Sequence, residues 1–193
     1  DIRAEPREGP AADGSLLNWV YTEIDHDEEY DAAGRLTREL TRAGLYHSYD
    51  YQNGELAGVS DQFGRSLTFT YHPGGLLKSL TDPDGNRYEY AYQGDLLQSV
   101  TLAQTQPPGH YLQGTSRQYH YEDPDFPQHL TGITDENGKR FATWSYDAEG
   151  LAASSEHAGG AERLSFEYPA ANQARITNAK GDVRLHTYAV QHG

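Results

Sequence analysis

The sequence Tyr30-Asp31-Ala-Ala-Gly34-Arg-Leu36 places an aromatic residue, a turn and an aliphatic residue in a row, and the chain repeats this pattern. Further copies are Tyr51-Gln-Asn-Gly54-Glu-Leu56, Tyr71-His-Pro-Gly-Gly75-Leu76, Tyr92-Gln-Gly94-Asp-Leu96 and Tyr146-Asp147-Ala-Glu-Gly150-Leu151. The first four tyrosines are 21, 20 and 21 residues apart. A fixed period of this length indicates a repeat architecture.

A second kind of turn lies between these copies. It reads Asp61-Gln-Phe-Gly64, Asp82-Pro-Asp-Gly85, Asp135-Glu-Asn-Gly138 and Asn178-Ala-Lys-Gly181, with His157-Ala-Gly-Gly160 in the same place in one repeat. Asp and Asn side chains accept hydrogen bonds from their own backbone two residues on, and Gly supplies the positive φ that such turns need. Each repeat of about 20 residues therefore carries two turns and two strands.

The residues between the turns alternate in polarity. Leu67, Phe69 and Tyr71 fall on one face of a strand, and the intervening Ser and Thr residues fall on the other. Tyr121 and Tyr168 end strands of the same kind. Strict alternation predicts an all-β chain, an array of antiparallel β-hairpin repeats. We expect this array to form a curved, spiralling sheet, because open twisted sheets of more than about ten strands usually curl.

The pattern divides the chain into three parts. Residues 1–20 are rich in Pro, Gly and charge and predict a flexible or loosely packed arm, residues 21–190 carry the repeats, and 191–193 form a tail. Residues 102–116 break the rhythm and predict an inserted loop. The chain begins at Asp1 and contains no Met, so we expect it to be a piece of a longer protein.

Composition narrows the function classes. The net charge of -14 disfavours nucleic acid and anionic membrane surfaces as partners, since both recruit Lys and Arg. No apolar run approaches the roughly 20 residues that span a bilayer, so membrane insertion is not expected. The absence of Cys excludes disulfide and thiolate chemistry.

The unit Tyr-Asp-x-x-Gly-Arg-Leu, followed by Asp-x-x-Gly and an aromatic residue, resembles the YD repeat of the RHS (rearrangement hotspot) family. The resemblance covers roughly residues 21–190. The segments Tyr119-His-Tyr-Glu-Asp-Pro-Asp-Phe-Pro127, His129-Leu-Thr-Gly-Ile-Thr-Asp-Glu136, Ala142-Thr-Trp144 and Ser155-Glu-His-Ala-Gly-Gly160 are similar to bacterial RHS proteins in particular.

This resemblance implies a structural function. RHS proteins wind a β-hairpin ribbon into a hollow shell, and in bacterial polymorphic toxins, including type VI secretion effectors, the shell encloses a C-terminal toxin. The chain is then an internal wall segment of an exported effector, with the cargo and the flanking repeats of the same polypeptide as partners. It needs no cofactor, metal or catalytic residue, and the repeat tyrosines, aspartates and glycines have structural roles. As a separate chain, its open sheet edges favour edge-to-edge self-association.

Other functions stay open at this level. The aromatic rows could form a binding module for carbohydrate or a partner protein, whereas an independent hydrolase has no supporting motif. Asp25-His-Asp-Glu-Glu29 and Asp82-Pro-Asp84-Gly85-Asn86 could hold a hard cation, although a solvated edge and a turn explain them. His110 and His120 lack the spacing of a zinc site.

Overall fold

The computed structural model describes residues 3–6, 18–105, 107–110 and 112–189, and the chain is built from β-strands. It divides into two compact units. The first comprises Asp1–Glu89 and Ala103–Tyr111, and the second comprises Tyr90–Leu102 and Leu112–Gly193. Both units consist of antiparallel hairpins in which consecutive strands pair.

The first unit begins with β1 (Arg3–Pro6), which pairs with β2 (Asn18–Thr22). The strands that follow are β3 (His26–Asp31), β4 (Leu36–Thr41), β5 (Tyr46–Gln52), β6 (Glu55–Asp61), β7 (Ser66–Tyr71) and β8 (Leu77–Thr81). The first residues of β9 (Arg87–Gln93) complete this unit and pair with β8.

The second unit takes up the rest of β9 and most of β10 (Leu96–Gln104). It continues with β11 (Ser116–His120), β12 (Gly132–Thr134), β13 (Arg140–Tyr146), β14 (Ala152–His157), β15 (Ala161–Ala170), β16 (Gln173–Asn178) and β17 (Val183–Thr187). A single 3₁₀ turn, Ala158–Gly160, joins β14 to β15.

Very few side chains in the described residues are fully covered. Among these residues, Ala142 is the one hydrophobic residue that is buried. Three small polar residues are also buried: Ser79, Thr105 and Thr131. No large side chain among the described residues is almost completely inaccessible. Apolar area is therefore buried in part by many half-covered side chains, and the backbone ladder with its cross-strand pairs adds to this cohesion.

The strand registers separate two faces with different chemistry. In the first unit, Val59 lies opposite Leu67, and Phe69 lies opposite Leu80. On the other face Thr70 lies opposite Ser79, and their hydroxyl oxygens are 2.7 Å apart. The alternation of the sequence thus becomes an aromatic and aliphatic face and a hydroxyl face.

The prediction of an all-β array of antiparallel hairpins is confirmed, and the curvature of the sheet stays a prediction. In the segment 1–20, predicted to be an arm, residues 3–6 and 18–20 lie in strands, and 7–17 lie outside the described residues. The tail 191–193 also lies outside them. Of the range 102–116, predicted to be an inserted loop, residues 102–104 lie in β10 and residue 116 in β11, and 106 and 111 lie outside the described residues, so the loop stays a prediction. Among the described residues, no helix has the length and hydropathy to cross a membrane.

Replacing Gly85 with Val tests how far the turns hold the sheet. Gly85 has a φ of +82°, and an added Cβ would meet nothing within 4 Å, so any loss of stability comes from the backbone conformation alone. We expect a loss of about 2 kcal/mol, since a β-branched residue is strained at positive φ.

Thermal and urea unfolding measure this loss. Gly58→Ala is the matched control, because Gly58 lies in β6 without a positive φ and its added Cβ would make an ordinary 3.5 Å contact with the Leu67 carbonyl. Equal melting temperatures for Gly85→Val and Gly58→Ala would contradict the interpretation.

Candidate functional site

The Asp-x-x-Gly turn has a fixed hydrogen-bond pattern, which the turn after β3 illustrates. The Asp31 N–H donates to the Arg35 carbonyl at 2.9 Å, and the Gly34 N–H donates to the Asp31 carbonyl at 3.0 Å. The Asp31 carboxylate then accepts from the N–H groups of Ala33 and Arg35 at 2.9 and 3.0 Å. One side chain thus satisfies two backbone donors that the bend removes from the ladder.

Five further turns repeat these four bonds. They are centred on Asp61, Asp82, Asp135, Asp147 and Asn178, and each ends in a Gly at positive φ: Gly64, Gly85, Gly138, Gly150 and Gly181. The fifth residue of three turns adds a side-chain bond to the aspartate: Arg35, Arg65 and Asn86.

Other turns in the repeat are built differently. Asn53 and Gly54, both at positive φ, form a two-residue hairpin turn between β5 and β6, as a type I′ turn requires. Gly94 begins a similar short turn after β9 at a φ of 58°. A further turn, which the repeat pattern does not predict, begins at Thr41. Its hydroxyl takes the place of the carboxylate and accepts from the Leu45 N–H at 3.1 Å. In the sequence, Gly44 is the residue that indicates this turn, and the structure gives it a φ of 81°.

The tyrosines at the ends of strands donate to the backbone of a neighbouring strand or its flank. The Tyr71 hydroxyl donates to the Leu56 carbonyl at 2.8 Å, and the Tyr168 hydroxyl donates to the Ala152 carbonyl at 3.0 Å. In the same way Tyr146 bonds the Leu130 carbonyl at 2.7 Å, and Tyr188 bonds the Ala171 carbonyl at 3.0 Å.

These bonds replace the ladder at the point where it stops. The β6–β7 ladder ends at Gly58 and Thr68, so Tyr71 and Leu56 lie beyond it on adjacent strands. The hydroxyl satisfies a carbonyl that would otherwise lack a strand partner. Burial raises the pKa of Tyr71 and of Tyr146, which keeps both hydroxyls protonated as donors.

The first tyrosine of the series is held by side chains. The Tyr30 ring stacks on Trp19 with centroids 4.2 Å apart, and its hydroxyl donates to Glu28 at 2.7 Å. The bond to Glu28, followed by burial, raises the pKa of Tyr30 to about 12. The Arg35 guanidinium lies 5.0 Å from the centre of the Tyr51 ring.

Tyr92 and Tyr121 are half-buried at the ends of β9 and β11, and burial raises the pKa of each hydroxyl. Leu36 and Leu56 lie directly opposite Tyr30 and Tyr51 across their turns.

A clamp in the second unit joins Glu122, Thr131, Gly132 and Arg140. Arg140 donates from both terminal nitrogens to the Glu122 carboxylate, at 2.8 and 3.2 Å, and also to the Thr131 carbonyl at 3.0 Å. The buried Thr131 hydroxyl in turn accepts from the Glu122 N–H at 3.0 Å. Arg140 holds the pKa of Glu122 below its usual range, so the pair stays charged at neutral pH. The guanidinium fills the space where any side chain on residue 132 would begin.

An aromatic cluster lies beside the clamp. His129 stacks on Phe126 with centroids 4.9 Å apart and tilts against Tyr146 at 4.5 Å. Gly150 supports this cluster for two reasons: its φ is +78°, and an added Cβ would approach Phe126 to 3.0 Å. The proline-containing segment 122–127 carries part of the family resemblance, but its spacing along the chain gives no sign that it packs on the turn at Gly150.

The acidic segment 25–29 does not form one ligand sphere. Asp27 pairs with Arg42 at 3.4 Å, whereas Glu28 accepts from Tyr30 at 2.7 Å. Glu23, Asp25 and His26 do bring their ligand atoms within 4.8 Å of one another, but both carboxylates are exposed. Such a group is common in an acidic chain and needs no ion, so a structural role is the simpler interpretation.

The remaining candidate ligands have partners in the fold. The Asp82 carboxylate accepts from the N–H groups of Asp84 and Asn86 within its turn. His120 bonds the Thr134 hydroxyl at 2.7 Å in the second unit. His110 lies in the first unit, where its backbone N–H donates to the Thr105 hydroxyl at 3.3 Å.

A groove of 570 Å³ in the second unit is lined by Arg163, Lys180, Glu162 and their neighbours. Its charges are largely paired, with Arg163 on Glu156 at 3.1 Å and His157 facing Glu162 at 3.5 Å. Glu162 itself has a φ of 52°. This strain follows from the bulge in the β14–β15 ladder and gives no indication of a ligand.

Residues 49–87 match the family model of the RHS repeat. This range contains the Tyr51, Asp61, Tyr71 and Asp82 turns. No curated protein sequence matches the chain.

Solved structures agree with this fold. The crystal structure of TcdB2-TccC3 superposes with a TM-score of 0.57 at 12% identity, covering 92% of this chain and 12% of that one. TcdB2-TccC3 without its hypervariable C-terminal region gives 0.56 at 12% identity, covering 92% and 11%. A Tc holotoxin pore of Photorhabdus luminescens covers 92% and 14% at 15% identity, but its TM-score of 0.39 supports no argument. At these identities the likeness is one of fold, and the chain spans about an eighth of TcdB2-TccC3.

Removing one tyrosine hydroxyl tests the bonds at the ends of the ladder. We expect Tyr146→Phe and Tyr168→Phe each to lower the free energy of unfolding by about 1 kcal/mol, because a backbone carbonyl loses its donor. Tyr119→Phe is the matched control, since this hydroxyl makes no hydrogen bond to any residue that the structure describes. Urea unfolding of the three variants measures the effect, and similar losses in all three would refute it.

Unfolding at acidic pH tests whether the charge of a turn carboxylate stabilises the protein. The Lys139 N–H, with smaller contributions from Asn137, lowers the pKa of Asp135 below its usual value. A carboxylate with a depressed folded pKa stabilises the protein above its unfolded pKa of about 3.9, and this stability is lost as the pH falls through the folded pKa. Asp135→Asn keeps the acceptor, as Asn178 does naturally, but cannot titrate.

We therefore expect wild type to exceed Asp135→Asn in stability near neutral pH, and the difference to shrink as the pH falls toward about 2. Urea unfolding across this range measures it. A difference that stays constant with pH would show that the Asp135 charge has no part in the turn.

Proposed function

We propose that this RHS-repeat chain is a structural segment of a toxin shell, whose wall encloses a C-terminal toxin or other cargo. The flanking shell repeats of the same polypeptide and the cargo are its partners. The observation that carries the proposal is the recurrence of one turn and one tyrosine bond along the chain. The match of residues 49–87 to the RHS repeat and the fold of TcdB2-TccC3 support it.

The bonding of the signature residues favours a wall over a reactive site. The turn carboxylates accept hydrogen bonds from backbone N–H groups, and the hydroxyls of Tyr71, Tyr146 and Tyr168 donate to backbone carbonyls. Groups held in this way close the turns and the ends of strands within the sheet, which is a structural role. We therefore assign no catalysis, cofactor or metal to this segment.

A sheet of this kind suits a barrier for physical reasons. Consecutive strands share a backbone ladder, and where the ladder stops the tyrosine hydroxyl bridges to the next carbonyl. A protease needs an extended segment freed from its neighbours, and a ladder closed by turns offers few such segments. The wall separates the cargo from proteases outside it by this continuity.

Export of the parent protein as a bacterial effector follows from the same proposal. The fold that the chain shares with TcdB2-TccC3 makes that assembly the model for the shell. A type VI route is an alternative, which the family resemblance alone suggests.

The alternative function is a binding module that uses the aromatic rows for carbohydrate or a partner protein. Rings exposed on a flat sheet can stack on sugars, but Tyr71, Tyr146 and Tyr168 are half-buried and donate into the backbone. This arrangement favours cross-strand packing over ligand stacking. Micromolar glycan binding that is lost on changing these tyrosines would favour the alternative.

Limited proteolysis of the longer natural protein, with mass spectrometry of the surviving fragments, tests encapsulation. We expect the C-terminal segment to resist cleavage in wild type. In Gly132→Ala it should become cleavable, because the added methyl group displaces Arg140 from the clamp and loosens the wall. Gly58→Ala, which adds the same methyl group in ordinary contact, serves as the control and should leave protection unchanged.

The outcomes separate the two functions. Rapid cleavage of the C-terminal segment in wild type, while residues 18–189 resist, would mean that the repeats do not enclose it, and the binding module would move to first place. Protection that survives Gly132→Ala with the clamp demonstrably broken would remove this segment from the barrier.

A further inference from the structure

Two carboxylates of neighbouring strands face each other on the aromatic face of the first unit. Glu28 of β3 lies directly opposite Glu39 of β4, and both side chains are partly covered, at 25% and 36% exposed. Like charges that are directly opposite in an antiparallel pair destabilise it, and partial burial weakens the screening by solvent. A ladder that contains this pair therefore depends on what neutralises it.

Arginine and lysine do not neutralise the two carboxylates. Among the residues whose side chains the structure describes, neither carboxylate has an ion pair with Lys or Arg. The arginines of β4 and its turn serve other acids: Arg38 lies 3.9 Å from Glu29, and Arg42 lies 3.4 Å from Asp27. The charge of the opposed pair is thus left to weaker groups.

Tyrosine hydroxyls satisfy the hydrogen bonding of the pair without changing its charge. Tyr30 donates to Glu28 at 2.7 Å, and Tyr49 donates to Glu39 at 3.1 Å. A phenol is neutral as a donor, and the pKa of each tyrosine is raised, which keeps both protonated. These bonds hold the carboxylates in place while the repulsion between them persists.

Histidines are the cations within reach of the pair. His26 Nε2 lies 3.5 Å from Glu28 Oε1, and His47 Nδ1 lies 3.9 Å from Glu39 Oε2. His47 is opposite Glu39 across the β4–β5 ladder. Imidazoles change their charge between about pH 5 and 8. These four side chains, named the histidine–glutamate row, thus combine two carboxylates with two cations that depend on pH.

The surrounding charges favour a proton on the row. The Asp25 carboxylate lies 2.8 Å from His26 Nδ1, and this hydrogen bond raises the pKa of His26, with burial opposing the rise and Glu28 adding to it. On β6, Asp61 lies opposite His47 but binds Arg65 at 2.6 Å. The other groups that face the row are Tyr21 of β2, Thr41 of β4, and Glu23 and Arg42 of the adjoining turns.

We propose that the histidine–glutamate row is a pH-sensitive switch that tightens the ladder of β3, β4 and β5 when its imidazoles are protonated. Imidazolium groups at His26 and His47 attract the carboxylates of their own pairs and offset the repulsion across β3 and β4. Loss of the protons leaves Glu28 and Glu39 opposed without a cation, and the ladder loosens.

The direction of the effect follows from linkage. A histidine whose folded pKa is raised, as at His26, contributes stability that is fully present below the unfolded pKa of about 6.5. This contribution is lost as the pH rises through the folded pKa. The ladder should therefore be firmer on the acid side of neutrality than on the alkaline side. That a shell wall would then close more firmly in acid rests on the proposed function, whereas the linkage is a property of this chain.

Hydrogen exchange followed by mass spectrometry tests the switch in the whole 193-residue chain. The protection of amides in a strand reports how often that strand opens. After correction for the intrinsic exchange rate at each pH, we expect protection in β3 and β4 to fall several-fold from about pH 6 to about pH 8.5. Protection that is constant or rises over this range would overturn the proposal.

Glu39→Gln decides whether the opposed charges are the cause. Glutamine still accepts the Tyr49 bond but carries no charge, so we expect more protection than in wild type at about pH 8.5 and a smaller change with pH. Glu29→Gln is the matched control, because Glu29 follows Glu28 in β3 and lies opposite Arg38. It should lower protection at both pH values. Less protection in Glu39→Gln than in wild type at about pH 8.5 would mean that this charge stabilises the ladder, and would refute the switch.

Replacing both histidines tests the source of the protons. In the double variant His26→Gln with His47→Gln, protection at about pH 6 should fall to the level of wild type at about pH 8.5, with little change at the higher pH. His186→Gln alters an exposed histidine of the second unit and should leave the profile of β3 and β4 as in wild type. A wild-type profile in the double variant would place the titrating group elsewhere and overturn the proposal. Each outcome is independent of cargo protection, which is measured in the longer protein.

Discussion

Hydrogen bonds closed across four-residue turns hold the register of the strands, because the residues that the structure describes form no thick apolar core. In six of these turns one Asp or Asn side chain bonds two backbone N–H groups, and a Gly at positive φ lets the chain return into the ladder. A slip of one residue would exchange the aromatic face for the hydroxyl face. The turns therefore determine which side chains meet across the strands.

The tyrosines hold adjacent hairpins together beyond the last pair of the ladder, at positions that the turns do not join. Adjacent hairpins separate beyond the last ladder pair, and the hydroxyl at the end of the strand reaches the carbonyl left behind. The ring of the same residue covers the aliphatic face. One residue type thus supplies both packing and a hydrogen bond, which explains why tyrosine recurs where phenylalanine would supply only half of the role.

The second unit adds a clamp where its rhythm is broken. The proline-containing segment between β11 and β12 interrupts the hairpin pattern, and Arg140 ties it back through Glu122 and Thr131. In this segment the ion pair and hydrogen bonds of Arg140 hold neighbouring strands in register, as the turns do in the other repeats. A wall segment needs such continuity across its irregular parts.

The sequence alone determined the turns and hairpins, because their hydrogen bonds and side-chain alternation depend on residues that are close together in the chain. The Asp-x-x-Gly spacing and the alternation in strands such as β7 predict turns and hairpins correctly, because the bonds join residues within five positions of each other. Only the tertiary structure decided the contacts between distant residues. Arg140 reaches Glu122 across 18 positions, Phe126 meets Gly150, and Tyr146 finds the Leu130 carbonyl, because bulges and register set these distances. Spacing along the chain carries no information about them.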